Sequence, residues 1–112
     1  MSLDVYVTLP GVASEPREPV FSANITHNLG RMADAAGLYR ALWCPGEVNI
    51  TRAQQLIEPL RQGLRRLRAE PAYFKLFDDP GGWGVYEDLV RWVEAYLVAC
   101  VEYPEALVSV RS

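Results

Sequence analysis

A chain of 112 residues that is half hydrophobic and 22% charged has the size and composition of one folded domain, and not those of a disordered tail. Its formal net charge of −3 at pH 7 argues against a general nucleic-acid binder, because phosphate affinity rests on clustered Lys and Arg that release counterions. No run approaches the roughly 18 apolar residues that span a bilayer, and Asp4 sits where a signal peptide would be basic and then apolar; the expected location is the cytoplasm, without a membrane partner.

Leu3, Val5, Val7 and Leu9 alternate with Asp4, Tyr6 and Thr8, the period of a half-buried strand over residues 3 to 9. Residues 10 to 19 carry Pro10, Gly11, Pro16 and Pro19, a loop composition, after which Phe21, Ala23 and Ile25 resume a period of two and complete a long-looped hairpin. Asn28 is placed to cap a helix over Leu29 to Ala36 that Gly37 ends. A further helical turn carries Leu38, Tyr39, Leu42 and Trp43 before Pro45 and Gly46 break the chain.

Thr51 and Gln54 have capping-box spacing ahead of an apolar stripe, Ala53, Leu56, Leu60, Leu64 and Leu67, that predicts a helix over 52 to 69, bent or weakened by Pro59 and Gly63. Pro71 opens a short turn, and residues 78 to 84 form a turn-rich loop holding Trp83. The most regular helix runs from Tyr86 to Val101, with Glu87 and Asp88 at the positive end of its dipole. A last strand over Ala106 to Val110 belongs beside the hairpin. The expected fold is therefore α+β and a single domain over 1–112: a small antiparallel sheet of N-terminal hairpin plus C-terminal strand, packed on one face by about three helices.

Chemistry concentrates in two places. The only histidine, His27, lies in Asn24-Ile25-Thr26-His27-Asn28 where strand hands over to helix, and such junctions are frequent ligand sites; the competing reading is turn and cap chemistry by Thr26 and Asn28. Asp78-Asp79-Pro80-Gly81-Gly82-Trp83-Gly84-Val85-Tyr86-Glu87 surrounds a tryptophan with glycines that permit close approach of a ligand or of another segment. It lacks the spacing of a phosphate loop or dinucleotide fingerprint, and the competing reading has Trp83 plugging the edge of the core. Arg61, Arg65 and Arg68 share a helix side and are candidate anion contacts, or a solvated face paired with acidic residues. One histidine and two distant cysteines, Cys44 and Cys100, supply no metal spacing, no cofactor signature and only a weakly supported Cys-His pair. Both cysteines read as core thiols.

The runs Asn24-Ile25-Thr26-His27-Asn28-Leu29, Met32-Ala33, Ala36-Gly37-Leu38-Tyr39, Leu42-Trp43, Gly82-Trp83-Gly84 with Tyr86-Glu87, and Glu102-Tyr103-Pro104 resemble a family of small uncharacterised proteins of phages and bacterial genomes. The resemblance covers residues 20 to 112 and implies no activity. Cys44 stands where an Arg is expected and Val85 where Thr or Asp is common, which weakens an anion site at those positions.

The reading that results is a non-enzymatic binding module, of phage or prophage type, for a small polar or nucleotide-like ligand. Its candidate contacts are Asn24, Thr26, His27, Asn28, Trp83, Tyr86 and Glu87. The alternatives are a structural or interaction homodimer using aromatic surfaces around Tyr39, Trp43, Tyr73, Phe74 and Trp92, and an enzyme with His27 as general base.

Overall fold

The structure, a computed structural model, describes residues 1–11 and 18–112; residues 12–17 of the expected loop lie outside the described residues. The hairpin is formed by β1 (Ser2–Thr8) and β2 (Phe21–Thr26), paired antiparallel with Leu3 opposite Ile25 and Val5 opposite Ala23. The C-terminal strand, β3 (Leu107–Arg111), pairs antiparallel with the other edge of β1, so β1 is the central strand and the order is β2-β1-β3. Alternation along β1 works as its sequence dictates: Leu3, Val5 and Val7 are wholly buried while Asp4, Tyr6 and Thr8 line the open face. Helices cover the other face, which makes this the expected α+β arrangement. Each fully buried Leu or Val contributes about 1.5–3 kcal/mol by leaving water.

The junction after β2 departs from expectation in its capping. Thr26, with φ −67° and ψ 142°, is the cap, and its hydroxyl oxygen accepts from the amide of Asn28 at 3.2 Å. Asn28 lies inside a 3-10 turn (His27–Leu29), and α1 follows (Gly30–Ala35). Gly37, at φ 75°, ends it as expected. α2 (Tyr39–Trp43) buries Leu42 and Trp43, and Pro45 opens a further 3-10 turn (Pro45–Val48) rather than only interrupting the chain.

α3 (Gln54–Ala69) begins two residues later than its stripe predicts. The residue that satisfies its entry is Gln55, not Gln54: the Gln55 side-chain oxygen accepts from the amides of Thr51 (2.8 Å) and Arg52 (2.9 Å). The helix runs unbroken through Pro59. Gly63 is not a weak point either, because a Cβ there would fall within 3.0 Å of three side-chain atoms of the fully buried Leu38; glycine is what lets α3 seat against that leucine. After α4 (Pro71–Phe74) and a 3-10 turn (Lys75–Phe77), α5 (Tyr86–Glu102) lays Leu89, Val93, Tyr96 and Cys100 into the core and packs against α3 and β2. Among the described residues no helix is long and apolar enough to cross a membrane.

Candidate functional site

The two chemically dense segments meet in space. Asn28 donates from its side-chain amide to the carbonyl of Trp83 at 2.8 Å, which ties the strand-to-helix junction to the glycine-rich loop. Gly84 makes the approach feasible: its φ of +131° is open only to glycine, and a Cβ would press on Thr26 (3.1 Å), Leu29 (3.2 Å) and Asn28 (3.3 Å). The loop is braced by its aspartates. Asp79 accepts from the amides of Gly81 (3.0 Å) and Trp83 (3.1 Å), Asp78 from that of Tyr86 (2.7 Å), and Asp88 from that of Val85 (3.1 Å). The last bond is half of a capping box, since valine has no oxygen with which to return it.

The Asn28–Trp83 bond divides the space around it. On one side a groove of about 320 Å³ is lined by Asn24, Ile25, Thr26, Gly82, Trp83, Asp88 and Trp92. On the other lies a cleft in two lobes of about 660 and 550 Å³, both lined by His27, Arg31 and Phe77; Gly30, Asp34 and Tyr39 complete the first, and Asn28, Leu76, Asp78 and Asp79 the second. No protein family, curated protein or solved structure matches this chain.

Asn24 and Thr26 face the groove. The Asn24 amide group is committed to Ser2 Oγ and Asp4 Oδ1, each at 2.8 Å, and its oxygen has no partner among the described residues. Trp83 does not plug the core: it is 77% exposed, because its backbone is held by Asp79 and Asn28 while its ring projects. His27 and Asn28 face the cleft. The His27 ring lies 6.0 Å from that of Trp43, and its Nε2 is buried without a hydrogen-bond partner among the described residues.

Tyr86 and Glu87 line neither space. The carbonyl of Leu67 would bond the amide of residue 71 in a continuing helix, and Pro71 has none; the Tyr86 hydroxyl supplies the missing donor at 2.6 Å. Burial also pushes the Tyr86 phenol up, with Arg68 opposing and Glu87 assisting. Glu87 lies near Lys75, 3.9 Å away, on the surface.

Three of the arginines on and before α3 already have partners. Arg66 donates to the carbonyl of Ala36 (3.0 Å), Arg52 to that of Glu105 (2.8 Å), and Arg68 pairs with Glu94 (3.0 Å). Arg61, Arg65 and Arg68 do share a surface hollow with Leu64 and Leu97. Of the residues expected at an interface, Trp43 and Phe74 are buried, Trp92 is half-buried, and Tyr39 and Tyr73 are exposed.

Sequence reasoning missed Arg31, Tyr39 and Phe77 as cleft residues. Arg31 follows His27 by four positions, the spacing of one helix face, but the continuity of the 3-10 turn with α1 is not written in composition. Neither thiol is prepared as a nucleophile: burial raises Cys100 to about 12, and burial followed by the charge and hydrogen bond of Glu47 raises Cys44, with Arg40 opposing. Among the described residues no group of three His, Cys, Asp or Glu side chains could hold a metal ion.

Proposed function

We propose that the protein is a non-enzymatic binding module for a small, polar, nucleotide-like ligand held in the cleft around His27. The observation that carries this is Arg31, a guanidinium with no ion-pair partner among the described residues, in a cleft of ligand size that Tyr39 and Phe77 also line. A guanidinium takes a phosphate through paired hydrogen bonds, and an aromatic face takes a base. Asp78 and Asp79 are spent on backbone amides, which leaves Asp34 to accept from an exocyclic amine. One arginine among three carboxylates suits a monophosphate better than a triphosphate. Binding without chemistry is favoured by protonated thiols and by a histidine whose Nε2 is sealed from solvent.

Membership of the phage and bacterial family that the motifs resemble, a prophage origin and a cytoplasmic location belong to the same proposal. The test is thermal denaturation with adenosine monophosphate, adenosine and inorganic phosphate. Ligand at a hundredfold excess over Kd stabilises by about 2.7 kcal/mol, a rise of order 10 °C. That rise is expected for the nucleotide and lost in Arg31→Ala; no shift with any nucleoside monophosphate would remove the proposal.

A further inference from the structure

We infer that the open edge of β2 is an interface with a second copy of this chain, β2 pairing antiparallel with β2 about a two-fold axis at Asn24. The inference is independent of the cleft. It starts from which backbone groups β2 leaves free. The amide of His27 donates to the carbonyl of Met1, and the register continues from that pair through Ile25 opposite Leu3 and Ala23 opposite Val5. In an antiparallel ladder bonded and non-bonded pairs alternate, so the odd residues of β2 bond to β1 and the backbones of Ser22, Asn24 and Thr26 point away from the sheet. Among the described residues nothing bonds to those three amides.

The opposite edge is treated differently. On β3 the outward amide of Val108 donates to the carbonyl of Thr51 at 2.9 Å, Arg52 bridges to Leu107, and Arg111 places a charge at the end of the strand. Folded proteins blunt free edges with charge, proline or a covering segment. β3 has a cover, while β2, Phe-Ser-Ala-Asn-Ile-Thr, has neither charge nor proline.

The groove supports an approach along that edge. It is lined by Asn24, Ile25 and Thr26, three consecutive strand residues whose side chains alternate between faces; one space can touch all three only by running beside the backbone. The occupant is chosen by self-complementarity. Centring the two-fold on Asn24 is the register that brings all three outward residues of both copies into the ladder. It sets Ser22 against the second copy's Thr26, hydroxyl against hydroxyl, and Ile25 against the second copy's Ala23, large against small, on the helix side where the groove leaves room. β2 itself brings no charged residue to the pairing.

The variant that isolates this contact is Ser22→Pro. It deletes an outward amide while leaving the β1 ladder whole, its side chain makes no hydrogen bond among the described residues, and Phe21 before it is already extended. Light scattering at high protein concentration is expected to give twice the 12.6 kDa chain mass for the wild type and a twofold lower mass for Ser22→Pro, with an unchanged far-ultraviolet spectrum. Hydrogen exchange of the Asn24 amide in the wild type is read alongside, and its protection is expected to fall on dilution. A wild-type monomer would overturn the inference and leave the edge to a segment of another protein. A dimer in which Ser22→Pro remains dimeric, or in which the Asn24 amide is unprotected, would overturn it too and assign the contact to another face. If Ser22→Pro does not fold, the exchange measurement alone decides.

Discussion

Replacing Gly63 by Ala inserts one methyl group into the place where α3 meets Leu38. Alanine should gain about 1 kcal/mol in helix propensity over glycine, so an exposed glycine here would be improved by the change. At this position the Cβ falls within 3.0 Å of the Cγ and both Cδ atoms of a leucine that is wholly buried. A single overpacked methylene costs about 1–3 kcal/mol, and with Leu38 enclosed the upper half of that range applies, for a net loss of about 1–2 kcal/mol and a fall in Tm of order 5–10 °C. The steric origin is separable from other causes by Leu38→Ala. That change alone costs about 2–5 kcal/mol, but it removes the obstacle, and in its background Gly63→Ala should turn neutral or stabilising by up to about 1 kcal/mol. Urea denaturation of the four proteins yields the coupling directly. If Gly63→Ala is stabilising in the wild-type background, or has the same effect in both backgrounds, the packing argument for this glycine is wrong.

Tyr86→Phe strands the carbonyl of Leu67, which has Pro71 where its helical donor would be; a loss of about 1–3 kcal/mol is expected in chemical denaturation, with no loss of nucleotide binding. Asn28→Ala cuts the tie to Trp83 and should speed hydrogen exchange at residues 82 to 84 and shift the tryptophan emission, at a cost of about 1 kcal/mol. The folded state holds the Cys100 proton more tightly than the unfolded chain, about 12 against 9.0, and Tyr96 is raised in the same direction by burial. Their contribution is complete below pH 9 and is lost as the pH rises toward 12, so melting temperature should fall over that window, and less steeply in Cys100→Ala. A thiol reagent should meanwhile reach Cys44 in the native protein and Cys100 only after unfolding.

The strands and the longest helix were legible because their periods are. Leu3, Val5 and Val7 alternate and are buried, and the stripe from Tyr86 to Cys100 faces the core along its whole length. Cap identity was less legible, since Thr26 and Asn28, or Gln54 and Gln55, offer the same chemistry one or two positions apart and tertiary packing chooses between them. Glycine carried two meanings that composition cannot separate: Gly84 permits both a left-handed backbone and a close approach, whereas Gly63 only clears space for a residue far along the chain. The meeting of the junction with the loop depends on one bond between residues 55 positions apart, and no periodicity reports that. Trp83 and Tyr86, both expected as ligand contacts, part ways for a related reason. The loop's aspartates fix the tryptophan's backbone and leave its ring outside, while the phenol is drawn in by a carbonyl that proline left without a donor.

Whether the cleft around His27 is the binding site is tested most directly by following backbone amide resonances during a titration with adenosine monophosphate. Saturable shifts are predicted at His27, Arg31, Tyr39 and Phe77, and they should vanish in Arg31→Ala while the unliganded spectrum away from residue 31 stays the same. A titration without saturable shifts, or with shifts confined to the groove of Trp83 and Trp92, would contradict it.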